Sequence, residues 1–279
     1  MKFGILGDAK ISRNRLIPAL HQAGCKFVHL GTRNPQTLTD GYYDKSIKIG
    51  QYEDVLADTD VEAVYIPLPN HLHAQWSINA LNAGKHVLCE KPMALSLSEI
   101  EAVEATAMAN NRYFYEAFMV RSHPQWSWLK QLDIGTAMHI SATFSYPPRA
   151  EGNVRNYAYM GGGPVLDIAG YTLLAGMMIF ESEPHLLFCD MQMEPHLDVE
   201  KTMNALVDFG AGRRLSMQVS SAMALSQTIH LTSENGWARL DTPFNPEQIA
   251  TASWALGELG EGKKRVFEPC NQYALMLLS

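Results

Sequence analysis

The chain has 279 residues, of which 47% are hydrophobic and 18% charged, with a formal net charge of −7. At about 100–200 residues per domain this suggests two domains with real apolar cores, and it argues against disorder. Acids and bases are mixed along the chain with no long Lys/Arg run, so nucleic acid and anionic membrane are not expected partners.

No apolar run reads as approaching the ~20 residues of a membrane span. Met1-Lys2 leads straight into Phe3-Gly4-Ile5-Leu6 with no secretory leader, so a cytoplasmic location is expected. Cys25, Cys89, Cys189 and Cys270 are far apart and form no C-x-x-C, which reads as reduced, mostly buried thiols and no metal site.

In chain order, Lys2–Leu6 predicts a strand, Ile11–Ala23 a helix, and Lys26–Gly31 a second strand. Tyr52–Ala57 follows as a short helix, Val61–Pro67 as a strand, and Ala74–Ala83 as a helix stopped by Gly84. His86–Cys89 is the next strand, Ser98 to Glu101 reads as a capping box opening a helix to Asn110, and Tyr113–Ala117 is another strand. This alternation predicts right-handed crossovers and a Rossmann-type, doubly wound parallel sheet over residues 1–120.

Beyond that point the pattern changes. A helix at Gln125–Gln131 leads to a strand at Ala137–Ser145, then an irregular stretch, Tyr146–Met160, and a long helix at Pro164–Phe180. Leu186–Gln192, Thr202–Asp208, Leu215–Ser221, Thr228–Thr232 and Ala238–Asp241 alternate, with turn signals at Phe209-Gly210 and Asn235-Gly236. Residues 121–279 therefore predict an α/β domain with an open, mostly antiparallel sheet. The last residues, Tyr273–Leu278, are apolar and read as the start of a helix whose continuation is expected to be missing.

The first strand runs into Gly7-Asp8-Ala9-Lys10-Ile11-Ser12. Only the first glycine of a G-x-G-x-x-G turn is kept. Gly7 permits the tight turn, Ala9 lets backbone approach a pyrophosphate, and the helix N-terminus offers free N–H groups. A bare strand–helix turn is the alternative. After the second strand stands Gly31-Thr32-Arg33-Asn34, with no carboxylate before Asp40. An acid there would repel a ribose 2′-phosphate, whereas Arg33 can pair with one, so NADP is favoured over NAD.

Two stretches carry the chemistry. In Cys89-Glu90-Lys91-Pro92 a lysine stands at the C-terminal end of a parallel strand, where it can stabilise negative charge developing on a substrate oxygen. In Gly161-Gly162-Gly163-Pro164-Val165-Leu166-Asp167-Ile168-Ala169-Gly170-Tyr171, Asp167 and Tyr171 are four apart and share a helix face, a stripe that Leu174 and Met178 continue. His71-Leu72-His73 lacks further metal ligands nearby.

With Tyr65-Ile66-Pro67-Leu68-Pro69-Asn70-His71-Leu72-His73 and Arg121-Ser122-His123-Pro124, these motifs resemble the glucose–fructose oxidoreductase/inositol dehydrogenase (Gfo/Idh/MocA) family, from Lys2 to about Asn271. The resemblance implies that Lys91 is the catalytic lysine, Asp167 the carboxylate that orients substrate, and Tyr171 the general acid/base. Tyrosine there is similar to the dihydrodiol and xylose dehydrogenase branch, which generally uses NADP. It further implies a cofactor set of Gly7, Ala9, Lys10, Ile11, Thr32, Arg33, Asn34, Pro67, Leu68, Asn70, His73, Glu90, Lys91 and Arg121. Pro67 to His73 would form the loop beneath the nicotinamide, and Glu90 would stand behind the lysine. The Lys91–Pro92 bond is expected to be cis, and Arg155 is a candidate substrate contact.

A free tyrosine with a pKa near 10 is a poor base, and a nearby lysine cation would lower that value and stabilise an alkoxide. The expected activity is hydride transfer between a nicotinamide and the carbinol or carbonyl of a sugar, polyol or cyclic diol. The expected assembly is a homodimer or higher oligomer through the second sheet. An NAD-dependent glycoside hydrolase and a non-catalytic cofactor-binding sensor are the alternatives.

Overall fold

Continuous apolar runs bury on both faces and alternating ones on a single face, and the computed structural model, which describes residues 1–38, 43–246, 249–257 and 262–278, contains one sheet of each kind. Asp40 lies outside the described residues. The chain forms two compact units, one of residues 1–119 with the terminal segment from Asn271, the other Val120–Cys270.

The first unit runs β1 (Lys2–Leu6), α1 (Ile17–Gln22), β2 (Lys26–Gly31), β3 (Lys48–Gly50), α2 (Tyr52–Ala57), β4 (Ala63–Ile66), α3 (His73–Asn82), β5 (His86–Cys89), α4 (Leu97–Ala109) and β6 (Phe114–Glu116). All six strands are parallel, in the order β3-β2-β1-β4-β5-β6. Every residue of β4 is buried, as is β1 from Phe3 onward. Leu6, Val64, Ile66 and Val87 of the sheet join Val55, Leu81 and Val103 of the helices in one core, at about 1.5–3 kcal/mol for each such side chain.

Three sequence expectations change in this unit. The helix predicted over Ile11–Ala23 begins as a π turn, Ser12–Leu16, before α1. The cap of α4 lies two residues earlier than expected: Ser96 Oγ accepts from the Glu99 N–H, and the Glu99 carboxylate takes the Leu95 N–H. β3 was not foreseen, because three residues, Lys48-Ile49-Gly50, are too few to show a period.

The second unit contains α5 (Pro124–Gln131), β7 (Ala137–Ser145), α6 (Gly170–Phe180), β8 (His185–Met193), β9 (Glu200–Asp208), β10 (Arg214–Ser220), β11 (Ser226–Ser233), β12 (Gly236–Leu240), β13 (Ala250–Leu256) and β14 (Lys263–Phe267). The sheet order is β14-β13-β12-β11-β7-β10-β9-β8, antiparallel throughout except for the β7–β10 pair. Leu215, Met217 and Val219 of β10, Ile229 and Leu231 of β11, and Ala238 and Leu240 of β12 are buried, and α6 packs on β7 and β10. β13 and β14 extend the sheet beyond the strands read from sequence.

The long helix opens as a π turn, Val165–Ala169. Its buried side runs through Tyr171, Thr172, Ala175, Gly176 and Phe180, while Leu174 and Met178, expected on that stripe, are half-buried. The extra residue in the opening turn shifts the register of the face that follows. By length and composition the stretch Ala158–Phe180 does reach the limit for a membrane span, contrary to the sequence reading, but half of its apolar window is buried inside this unit.

The last helix, α7 (Gln272–Leu278), assigned by sequence to the second domain, groups with the first unit. There it meets α1, with Tyr273, Ala274 and Met276 as its buried face and Leu278 exposed.

Candidate active site

The end of β1 turns at Gly7, whose φ of +118° is closed to other residues without strain. Its N–H donates to the Gly31 carbonyl at 2.8 Å, and a Cβ there would stand 3.1 Å from Leu68 Cδ2. The chain then enters the π turn at Ser12, whose Oγ is buried without a partner. A bare glycine turn, a helix start with free N–H groups and an orphaned hydroxyl fit the phosphates of a dinucleotide.

The motif departs from its usual form at Asp8, which puts an acid in the turn. That carboxylate accepts from Tyr43 Oη at 2.5 Å and pairs with Arg13 at 3.5 Å. Lys10 is exposed, and Ala9 and Ile11 are half-buried. At the end of β2, Thr32 N–H donates to the Gly50 carbonyl at 2.9 Å, while Arg33 and Asn34 are exposed. Arg33 lies against the Tyr52 phenol, and Tyr52 packs edge-on to Trp76 with centroids 4.8 Å apart. Sequence reasoning missed Tyr43 and Tyr52, since both come from segments with no motif.

At the C-terminal ends of β4 and β5, Lys91 is half-buried and its bond to Pro92 is cis, as the resemblance implied. Glu90 behind it is buried and accepts from Tyr65 Oη at 2.6 Å. Burial pushes the Glu90 carboxyl above its ordinary range, and Tyr65 and Lys91 oppose that rise. The Met93 N–H donates to Glu116 Oε1 at 3.0 Å, so a second acid supports the turn that carries the lysine. Tyr65 was read within its motif but its bond to Glu90 was not, and Glu116 went unnoticed, because strand tyrosines and acids carry no spacing signal.

Pro67, Leu68 and Asn70 form the loop after β4, with Leu68 buried and Asn70 half-buried at the start of a short helical turn. His73, beside them in sequence, is enclosed, with its ring nitrogens against the Leu68 and Pro92 carbonyls. Both ring nitrogens are thus engaged by backbone carbonyls. Arg121 is exposed and belongs to the second unit.

In the second unit three consecutive glycines shape the loop before the helix that carries Asp167 and Tyr171. Gly161 and Gly163 have φ of +74° and +90°, and a Cβ on Gly162 would lie 2.5 Å from the Arg155 carbonyl oxygen. The Gly163 N–H donates to that same carbonyl at 2.9 Å, and Gly162 N–H to the Tyr157 carbonyl at 3.0 Å. The loop is thus pinned down so that Arg155 Nε donates to Asp167 Oδ2 at 2.5 Å. Asp167 is buried in the first turn of its helix, and its own N–H reaches the Gly163 carbonyl at 3.1 Å.

Tyr171 is buried one turn on, its ring 5.7 Å from both Phe144 and Phe244. Tyr146, at the end of β7, also stands beside Asp167 and Arg155, with Arg149 over its ring at 4.7 Å. Burial, then the Asp167 charge, pushes the Tyr146 phenol well up. Sequence reading left Tyr146 in an irregular loop. Its enclosure depends on the Ser220 carbonyl, which takes its N–H at 3.0 Å from a strand far along the chain.

Comparison with known proteins agrees with this geometry. Residues 1–118 match the model of the Gfo/Idh/MocA oxidoreductase family, NAD-binding Rossmann fold, and residues 127–239 match the family's C-terminal domain. The chain is 34% identical over 88% of its length to an uncharacterized oxidoreductase, ORF334, of Rhizobium meliloti, covering 76% of that protein. It is 28% identical over 98% of its length to D-xylose 1-dehydrogenase (NADP(+)) 2 of Haloferax volcanii, covering 86% of it. Among solved structures, KijD10, a 3-ketoreductase from Actinomadura kijaniata in complex with NADP and TDP-benzene, superposes with a TM-score of 0.92 at 26% identity, over 100% of this chain and 87% of that one. With a glycine-turned parallel sheet, a lysine at the end of its fifth strand and an aspartate and tyrosine on one helix, this chain belongs to the Gfo/Idh/MocA family of oxidoreductases.

Proposed function

We propose that this enzyme transfers hydride between NADP and the carbinol or carbonyl carbon of a sugar or related polyol. The observation that carries the reading is Lys91, set at the C-terminal end of a parallel strand and backed by buried Glu90. When bound, NADP supplies or accepts the hydride. Gly7, Ala9, Lys10, Ile11 and the π turn after them would hold its phosphates. Thr32, Arg33 and Asn34 would take the adenosine end, and Pro67, Leu68 and Asn70 would lie under the nicotinamide. Arg121 is proposed as a further contact. Arg33 favours the 2′-phosphate by charge and by its planar donors, and both the xylose dehydrogenase and the 3-ketoreductase are NADP proteins.

The chain's own groups manage the proton. Tyr171 takes it from the substrate hydroxyl in oxidation and returns it in reduction. The Lys91 ammonium would stabilise negative charge developing on a substrate oxygen. Asp167, held by Arg155, orients the neighbouring hydroxyls. A panel of aldoses, ketosugars, inositols and dihydrodiols tests this by absorbance of the reduced nicotinamide. Net NADPH turnover with at least one sugar is expected, and none with any member would refute it.

A second copy of the chain is the proposed partner. β8 exposes Leu186, Leu187, Phe188, Met191 and Met193 at a sheet edge, a surface soluble proteins rarely leave bare. The adjoining open face carries self-satisfied polar pairs, Asn204 with Gln218, His139 with Ser216, and Thr143 with Thr228, each at 2.9 Å. The cysteines are free, which supports a cytoplasmic setting.

A further inference from the structure

Lys91 can act only from where its backbone leaves it. The ladder between β5 and β6 closes where Cys89 pairs with Glu116 and the Ala117 N–H donates to the Cys89 carbonyl at 2.7 Å. On the other side, the Glu90 N–H still reaches the Ile66 carbonyl after the end of β4, at 3.1 Å. The chain then passes through Lys91-Pro92-Met93, with the Lys91–Pro92 bond cis, and the strands on either side no longer carry it. Pro92 has no N–H, so the backbone donors of this turn are those of Lys91 and Met93.

Each of the two meets a carboxyl. The buried Glu90 carboxyl is hydrogen-bonded by the Lys91 N–H and by Tyr65 Oη, the latter at 2.6 Å. The Met93 N–H donates to Glu116 Oε1 at 3.0 Å. That bond has one sense, since an amide N–H only donates, and a carboxylate is a stronger acceptor than a neutral carbonyl. Glu116 is itself held in place, by its register with Cys89 and by the Phe118 N–H, which donates to its carbonyl at 2.8 Å. The end of β6 thus supplies a fixed post for the far side of the turn.

We infer that Glu116 is a positioning residue for hydride transfer: by taking the Met93 N–H it fixes the far end of the cis turn, as Glu90 fixes the near end, and so sets where the Lys91 ammonium stands. It acts through Lys91 and not on the substrate. This rests on Lys91 being the lysine that acts in the proposed reaction.

Two variants separate reach from charge. Glu116→Gln keeps an oxygen at the same reach, and Glu116→Asp keeps the charge but draws it back from a bond already 3.0 Å long. In Glu116→Asp, kcat should fall roughly 10–100-fold, the scale of a small misplacement of a reacting group. In Glu116→Gln it should fall by less than about threefold, the cost of a weakened but retained hydrogen bond. The Kd for NADPH and the circular dichroism spectrum should be unchanged in both. A double-mutant cycle then asks whether the loss runs through the lysine. In a Lys91→Met background, Glu116→Asp should cost nothing further in kcat. The same cost in both backgrounds would mean a general loosening of the fold and would overturn the inference, as would full activity in Glu116→Asp or equal losses in the two variants. Hydrogen exchange reads the tie without substrate: the Met93 amide should be protected in wild type and Glu116→Gln and exchange faster in Glu116→Asp, and equal exchange in all three also overturns it. A wild-type enzyme that turns over no sugar would instead refute the proposed function, and exchange at Met93 would still decide the tie.

Discussion

The six-stranded sheet of the first unit and the eight-stranded sheet of the second bury their residues in different ways. β4 is buried at every position, whereas β9, β10 and β11 bury alternate residues and β8 buries almost none. A sheet covered on both faces leaves only its strand ends for function, and the residues proposed to bind there stand on short backbone turns: Gly7, the first turn after it, and the turn at Lys91. A sheet covered on one face leaves a broad open surface, the one proposed for self-association. Its proposed site residues come from one loop and helix, 153–171, packed beside Tyr146 at the end of β7. The first arrangement suits a ligand whose phosphates never change. The second suits substrates that differ from one relative to the next.

The largest expected effects test whether the two regions supply one reaction. Lys91→Met, at the strand end, and Tyr171→Phe, on the helix, should each lower kcat by ~10²–10⁴ with NADPH affinity nearly kept. Full activity in the tyrosine variant would remove that helix from the proton's path. Next, Arg33→Ala should weaken NADPH by roughly 10–100-fold, the loss of a charge-assisted hydrogen bond, and leave NADH nearly unchanged. Equal losses, measured by calorimetry, would show that Arg33 does not read the 2′-phosphate.

A smaller effect should separate the sheets altogether. Phe188→Asp on β8 should lower the mass measured by light scattering to that of one chain, while cofactor binding is unaltered. An unchanged mass would mean that the open face is not the self-association surface. The smallest effect concerns the first unit alone. Lys48 hydrogen-bonds Asp58 at 2.9 Å, and with the Asp60 N–H and His29 it holds that carboxyl below its ordinary range. A carboxyl held low in the fold stabilises it fully above the usual carboxylate range and loses that contribution as pH falls. Asp58→Asn should therefore cost about 2–4 °C in Tm at pH 7 and progressively less below pH 4. An equal cost at every pH would point to packing instead of charge.

Much of the first unit was legible in the sequence because its signals are local. Gly7, Lys91 and the apolar runs each declare themselves within a few residues. What escaped notice there was β3, too short to show a period, and the tyrosines Tyr43 and Tyr52, whose partners lie 35 and 19 residues away. In the second unit Asp167 and Tyr171 stood out through the glycines before them, and Arg155 through its place in the same loop. Tyr146 did not, since its position beside Asp167 exists only once β7 and β10 are paired. The π turn at Val165–Ala169 was equally invisible, because a period of 3.6 fits the apolar residues around it.

The most direct test of the whole account follows the hydrogen itself. NADPH deuterated at the transferable nicotinamide position is incubated with the enzyme and the best carbonyl sugar of the panel, and the product is examined by NMR. The account predicts deuterium on the carbinol carbon of the product, one per NADP formed, and its loss in Tyr171→Phe. A product that carries no deuterium, or NADPH that is consumed and regenerated with no net reduction of sugar, would contradict it.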